Sequence, residues 1–428
     1  MLSARPGCAK EMPNVSKGML RPEYWINRAT DPDRVFMSEW DIMRINSLIS
    51  RQGYRTDPHE ESPWVSGRRI RGYIEEDHRD LSGWRKYDQE DRRLRDPAFA
   101  RKMRALTRDD RVPEHVRVRY GLTVRRVKVR MMPTDAPVQR RPGEPNFDIL
   151  MKSVAEPGEP VALYHFSADG KWAFVQTPHC CGWVLTAGMC WAGDREPFRK
   201  YLNPGRFLVV TGRESRVYRD RGLDRLAAKI GMGGRMPLVR EERGLYVVLM
   251  PSRLAGGRPG YYQGYVSRRG DLHEGFLKLT KRDLLIQAFK WLGGEYRWGY
   301  TGEATDCSGF IMSVFMTFGI ELERSSELQV RAFEAIAMPR DMTRKERRLS
   351  EMLPFRTLLG FPGHIGLYLG KVGERHYLIH AFNSYWTGGK GGNREVRVGR
   401  VVVSDLSLGE NGRNGSLLEK LQSASIID

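Results

Sequence analysis

The chain has 428 residues, of which 40% are hydrophobic and 10% aromatic, and 71 Lys and Arg against 52 Asp and Glu leave a formal net charge of +19. That length exceeds one ordinary core and predicts roughly three domains, while the hydrophobic content excludes a disordered polyelectrolyte. The longest nearly apolar run, Phe310 to Ile320, is about half of a bilayer crossing, so no transmembrane segment is expected.

The first thirty residues carry no apolar stretch of the secretory-leader kind. Gly7-Cys8 has the outline of a lipoprotein processing site, but Arg5 and Pro6 stand where apolar residues are needed. Residues 1–112 read as a mostly helical N-terminal segment. In "SEWDIMRINSLIS" Ser38 is placed to cap a helix, and Ile42, Ile45 and Ile49 recur at helical spacing. Between Arg68 and Arg130 there are twenty Lys and Arg against eleven Asp and Glu. No zinc finger, aromatic RNA-binding signature or heptad-linked basic region accompanies that charge, so no nucleic-acid partner is expected. A solvated basic face and a surface drawn to an anionic polymer, such as a bacterial wall or a membrane, remain as readings.

From residue 113 the pattern changes to short β-rich runs separated by Pro and Gly: "VRRVKVRMMP", "EPVALYHFSADGKWAFVQT" and "CGWVL". The same order recurs in "RMPLVREERGLYVVLMP" and "YYQGYVS". Each copy closes on Gly, aromatic, Val: Gly182, Trp183, Val184 and Gly264, Tyr265, Val266. Two small β-barrels in tandem, residues 113–192 and 193–276, explain the repeat. Five cysteines, two of them adjacent, give no disulfide framework. A zinc set of His179, Cys180, Cys181 and Cys190 matches no standard spacing; buried thiols are the expectation, with no metal and no cofactor.

Residues 277–428 change character again. Thr280 and Asp283 approximate a capping box for "KRDLLIQAFKWL", which Gly293 and Gly294 end. After a Gly-broken loop, Cys307 opens a second helix whose Phe310, Ile311, Val314, Phe315 and Phe318 are apolar. A thiol at a helix start faces unpaired amides and the positive end of the macrodipole, which favour the nucleophilic thiolate. A small buried residue opening a core helix is the alternative, and a nearby base decides between them. "HIGLYLG" (364–370) and "HYLIHAF" (376–382) read as a hairpin whose folding about Val372 sets His364 opposite His380. A slip of one residue would separate their faces. His376, near the turn, reads as a solvated loop histidine. A Cys-His-His set of nucleophile, base and orienting group results.

The ordered motifs "YRWGY" (296–300), "DCSG" (306–309), "HIGLY" (364–368) and "IHA" (379–381) resemble those of the NlpC/P60 family of papain-like cysteine peptidases. The tandem β-modules resemble the bacterial SH3-like domains that precede this catalytic domain in one branch of the family. The resemblance implies an α+β fold: a papain-like domain over 277–428, two SH3-like barrels and the helical N-terminal segment. It implies hydrolysis of the γ-D-glutamyl to L-diamino acid bond, diaminopimelate being the expected diamino acid, in peptidoglycan stem peptides or wall. Cys307 would be nucleophile, His364 base and His380 the third polar residue. Tyr296, Asp306 and Ser308 would bind the peptide, Asp306 by attracting its ammonium group. Two departures stand out: Tyr300 replaces the second Gly of the first motif, and "LPFRTLLGFPG" replaces the usual strand before the base. A related thiol amidase or acyltransferase and a non-catalytic wall-binding protein remain as alternatives. The family implies the cell envelope or secretion, with the cytoplasm left open.

Overall fold

The computed structural model describes residues 12–52, 56–300, 302–388 and 392–428, so Cys8 lies outside the described residues. The chain divides into two compact units. One contains the residues up to Arg51 together with Phe276–Arg297 and Glu303–Asp428; the other contains Gln52–Gly275 and Trp298–Gly302. The stretch read as one N-terminal segment is therefore shared between them. Helix Glu39–Arg51 buries Ile42, Ile45 and Ile49 and is opened by Ser38, whose hydroxyl accepts from the Asp41 amide at 3.2 Å. It belongs to the first unit. Helices Gly67–Ser82 and Asp96–Thr107 belong to the second.

The second unit is built on a repeat of seven strands. In the first copy these are Arg119–Thr123, Val127–Arg130, Met151–Ala155, Pro160–Phe166, Trp172–Gln176, Cys181–Leu185 and Met189–Ala192. In the second they are Phe207–Val210, Glu214–Tyr218, Leu226–Gly231, Arg235–Glu242, Leu245–Arg253, Pro259–Ser267 and Leu272–Glu274. Counted along the chain within each copy, both sheets run 7-1-4-5-6-2-3. The sequence repeat corresponds to strands four to six of each copy, and the topology extends it to all seven. Each copy closes on its own apolar interior: Val129, Leu163, Val175 and Val184 in one, and Leu208, Val217, Ile230, Val248 and Val266 in the other. Cys181 donates to the Gln176 amide oxygen and Cys190 is buried, and among the described residues no His, Cys, Asp and Glu group is arranged to hold a metal.

The first unit carries a six-stranded antiparallel sheet. Its strands, across the sheet, are Glu334–Ala337, Ser423–Ile426, Thr357–Phe361, His364–Val372, Arg375–Thr387 and Arg394–Asp405. The unusual "LPFRTLLGFPG" segment supplies the Thr357–Phe361 strand and turns back through Gly363 at φ 65°, so that Phe361 pairs with His364. Helix Lys281–Lys290 is capped by Thr280, which accepts from the Asp283 amide. Helix Cys307–Met316 packs against the His364–Val372 and Arg375–Thr387 strands and is buried from Cys307 to Phe315. It thus has no solvent face over these nine residues, consistent with a sequence whose only polar side chains besides the thiol are Ser308 and Ser313.

Gly319 ends the segment after this helix with φ 80°, and a Cβ there would stand 2.9 Å from the Phe276 ring. Both the left-handed backbone and the ring contact exclude a side chain. Gly319→Ala is expected to destabilise the first unit by more than about 1 kcal/mol, read from the urea unfolding midpoint; an unchanged midpoint would show that Phe276 moves aside without cost.

Candidate active site

Asp306 is the N-cap of the Cys307 helix, and its carboxylate accepts from the Gly309 amide at 2.8 Å. This cap takes one first-turn amide and leaves those of Cys307 and Ser308 at the helix mouth. The Cys307 sulfur lies 3.9 Å from the Gly363 carbonyl oxygen, and the amides of Ile365 and Ser308 are turned toward it. Gly363 and Ile365 are the two neighbours of His364, so the thiol rests against the backbone on both sides of that residue.

The hairpin brings the two histidines together by a route different from the expected one. Its turn is tighter than "KVGER" suggests: Val372 pairs with Arg375 and Lys371 with His376, around Gly373 at φ 58°. Carried on unbroken, that register would place His364 and His380 on opposite faces. One residue is bulged out between Tyr368 and Gly370, after which Tyr368 pairs with Leu378 and Leu367 with Ile379. The histidines therefore share a face as diagonal neighbours rather than as a direct pair. Continuing the register brings Gly366 opposite His380, and a Cβ on Gly366 would stand 3.0 Å from the His380 Cβ. His364 Nε2 and His380 Nδ1 are 2.7 Å apart, and His380 Nε2 is 2.9 Å from the Ser404 hydroxyl on the next strand. His376 is not solvated. It is buried, with Nδ1 2.7 Å from the Tyr368 hydroxyl, because the tight turn keeps it inside the paired part of the hairpin.

Asp306 and Ser308 meet at a residue that the sequence reading passed over. Arg324 donates to both Asp306 oxygens, at 3.0 and 2.6 Å, and to the Ser308 hydroxyl at 2.7 Å. The carboxylate expected to draw a substrate ammonium is already bonded to a guanidinium. Gln329, fully buried, donates to the Ser308 carbonyl at 2.9 Å and the Glu323 carbonyl at 2.6 Å, tying the mouth of the Cys307 helix to the next segment. Both residues come from "LERSSELQ", where charge and amide look like those of any surface turn. Ser404 left a fainter signal, a single hydroxyl ending the apolar run "VVVS". Tyr296 is buried within electrostatic reach of Cys307 and Asp306. Trp298 stacks on Phe147 with ring centroids 4.5 Å apart, an ordinary aromatic packing contact.

Burial governs the protonation of the site. It pushes the Cys307 thiol up to about 12, with the Asp306 charge adding to the rise and Arg324 and the two amides opposing it. The helix-start amide of Ser308 acts in the expected direction, joined by the strand amide of Ile365, but removal from water outweighs them. Burial likewise pushes His364 down to about 3, helped by Lys420 and opposed by Asp306, and drives His380 well below its ordinary value, with His364 adding to the effect. The resting site at neutral pH is therefore a neutral thiol beside two neutral imidazoles.

Residues 293–385 match the NlpC/P60 family, and residues 138–185 match an SH3 domain of the SH3b1 type. The region around the site is an NlpC/P60 domain. Over 94% of this chain and 96% of its own, a solved structure described as a novel NlpC/P60 endopeptidase from Photobacterium damselae subsp. piscicida matches with a TM-score of 0.78 at 19% identity. An NlpC/P60 family protein from Bacillus cereus matches over 64% of this chain and 81% of its own, with a TM-score of 0.47 at 19% identity. The peptidoglycan hydrolase RipB from Mycobacterium tuberculosis matches over 35% of this chain and 65% of its own, with a TM-score of 0.23 at 20% identity. The first likeness is one of fold. No curated protein matches the chain. The NlpC/P60 match includes the Cys307 helix and both histidines, and Ser404 lies beyond its end.

Folded-state depression of the buried histidines makes the stability of the NlpC/P60 domain sensitive to acid. Below the ordinary value of 6.5 the unfolded chain binds protons that His364, His376 and His380 refuse when folded, so stability is fully present above pH 6.5 and is lost as the pH falls from there toward about 3. The urea midpoint is expected to drop between pH 7.5 and pH 5, and a flat profile would contradict the burial of these rings.

Proposed function

We propose that this chain is a cysteine endopeptidase that cleaves the γ-D-glutamyl to L-diamino acid bond of bacterial peptidoglycan stem peptides. The observation that carries this reading is the line of contacts from Cys307, seated against the flanks of His364, through His380 to Ser404. His364 uses Nε2 toward His380, which leaves Nδ1 to accept the thiol proton as the sulfur attacks the amide carbonyl carbon. The amides of Cys307 and Ser308 at the helix start receive the developing oxyanion. His364 then returns the proton to the leaving amine, and a thioester to Cys307 remains. Water, deprotonated by the same imidazole, attacks the thioester and releases the γ-glutamyl carboxylate and the thiol.

With Nδ1 free to accept a proton, His364 carries its own proton on Nε2 and donates to His380 Nδ1, and His380 in turn donates from Nε2 to Ser404. His380 is thus a neutral acceptor, fixing the tautomer and plane of the base without supplying charge. Tyr296, Asp306 and Ser308 line the substrate side, with Arg324 holding the last two. The Asp306–Arg324 pair presents adjacent negative and positive ends, complementary to a peptide end whose ammonium and carboxylate lie close together. The substrate class points to the cell envelope or to secretion, and no described helix is long and apolar enough to cross a membrane.

Mass spectrometry of peptidoglycan digests tests the bond directly: new γ-glutamyl carboxyl and diamino acid amino termini are expected, and other termini would reject the reading. Cys307→Ala is expected to abolish cleavage with the fold retained, and an active variant would sink the mechanism. His364→Ala is expected to lower kcat on the order of 10^2- to 10^4-fold. His380→Ala leaves measurable turnover, because the orienting group takes no part in bond breaking; equal and complete loss at both positions would remove the distinction. Ser404→Ala is expected to lower kcat by about 2- to 10-fold, the worth of one neutral hydrogen bond, with KM unchanged. The acid limb of kcat/KM should fall below pH 6.5, since it reports His364 in the free enzyme.

A further inference from the structure

In the first unit a cavity of about 220 Å³ is lined by Asp31, Arg34, Val35, Phe36, Lys281 and Arg356. These residues come from three stretches far apart in the chain. Asp31 and Arg34 belong to the turn before the short strand Val35–Met37, which pairs with Leu279–Thr280 at the start of the Lys281–Lys290 helix. Arg356 stands immediately before the Thr357–Phe361 strand. Lys281 donates to the Thr30 carbonyl at 2.7 Å. Arg356 directs Nε and Nη2 to the Ile427 carbonyl at 3.2 and 2.9 Å, with its guanidinium 4.5 Å from the centre of the Phe36 ring. Among the described residues Asp31, Arg34, Lys281 and Arg356 form no salt bridge, whereas the adjacent Arg282 is paired with Asp33. Burial disfavours the charge on Arg356; Asp428 opposes that effect and Arg34 adds to it, which places the two guanidinium groups within electrostatic reach of each other. Three cations and one carboxylate thus line one space, and the positive charge is in excess.

We propose that this cavity binds inorganic phosphate, with Arg34, Lys281 and Arg356 donating to its charged oxygens and Asp31 accepting from its hydroxyl. Two guanidinium forks and an ammonium group drawn from different elements suit a compact oxyanion better than a planar carboxylate, which one fork satisfies. Asp31 sets the selectivity. A carboxylate beside the ligand repels sulfate and phosphodiesters, which carry no proton near neutral pH, but accepts a hydrogen bond from the P–OH group that inorganic phosphate keeps there. The site shares no residue with the Cys307 centre. Arg356 belongs to "LPFRTLLGFPG", the segment that departs from the usual strand before the base, and phosphate ties that segment to the Asp31–Arg34 turn and to the start of the Lys281–Lys290 helix.

Equilibrium dialysis of the full chain against radiolabelled phosphate in a chloride buffer tests the site, with unlabelled sulfate and dimethyl phosphate as competitors. Saturable phosphate binding is expected, and both competitors should bind at least about tenfold more weakly. Arg34→Ala removes an exposed cation that has no salt bridge, and should weaken phosphate binding at least about fivefold. Asp31→Asn keeps the turn, because Asn tolerates the left-handed backbone at φ 49° as Asp does. That variant should bind sulfate more tightly than the parent does and bring the two anions within about twofold of each other. An unchanged urea midpoint in phosphate-free buffer is the check on folding for both variants. No saturable binding, equal affinity of the parent for phosphate and sulfate, undiminished phosphate binding by Arg34→Ala, or an undiminished preference for phosphate in Asp31→Asn would each overturn the proposal.

Discussion

Two imidazoles, His380 fully buried and His364 partly so, with His364 Nε2 2.7 Å from His380 Nδ1, set the requirement that the rest of the first unit meets. They must stand on one face of adjacent strands, yet the register at the hairpin turn is of the wrong parity to put them there. A single extra residue between Tyr368 and Gly370 corrects the parity. The bare Gly366 leaves space beside the His380 Cβ for the diagonal approach of the rings. Ser404 continues the line onto a third strand, so the relay runs across the sheet rather than along any one strand. Both ring nitrogens of the fully buried His380 are used, as burial demands, while His364 has a partner at Nε2 and keeps Nδ1 for the thiol side.

The same burial decides how the site stores its proton. A thiolate–imidazolium pair would place two charges in a region that excludes water, and the cost of desolvating them exceeds what the helix-start amides return. The proton therefore stays on sulfur in the resting site, and in the proposed mechanism it leaves only when a carbonyl group can take up the negative charge near the amides of Cys307 and Ser308. A neutral third residue suits this arrangement: a carboxylate at the His380 position would need its own counter-charge in the same dry space.

Charge is handled differently at the mouth of the Cys307 helix. Asp306 serves the helix as a cap and Arg324 as a partner, and Ser308 joins both, so one cluster fixes the first turn and shapes the adjoining surface. In the second unit the two copies of the seven-stranded repeat share strand order and connectivity, with a separate apolar interior in each. Arg119 of the first copy nevertheless continues an outward row begun by His115 and Arg117 on the strand before it. A fold used twice in one chain leaves the buried alternation intact and differs on the outside, where substitution costs little.

Sequence alone determined the elements whose signal is local. The Ser38-capped helix, the Thr280-capped helix, the buried helix opening at Cys307 and the strand–turn–strand core of each repeat all follow from periodicity and capping within about a dozen residues. It also placed Cys307, His364 and His380 on the right elements through ordered short motifs. Tertiary structure alone decided whatever depended on register or on partners far along the chain. Gly370, at φ 101°, stands at the bulge, but a glycine near the end of a strand does not reveal the register it sets; Arg324, Gln329 and Ser404 acquire their meaning from groups between 16 and 24 residues away or from neighbouring strands. His376 looked solvated because turn length sets burial, and the connection has two unpaired residues where five were expected. The thiol's proton, finally, depends on how much water surrounds it, which is a property of the packed fold rather than of any segment.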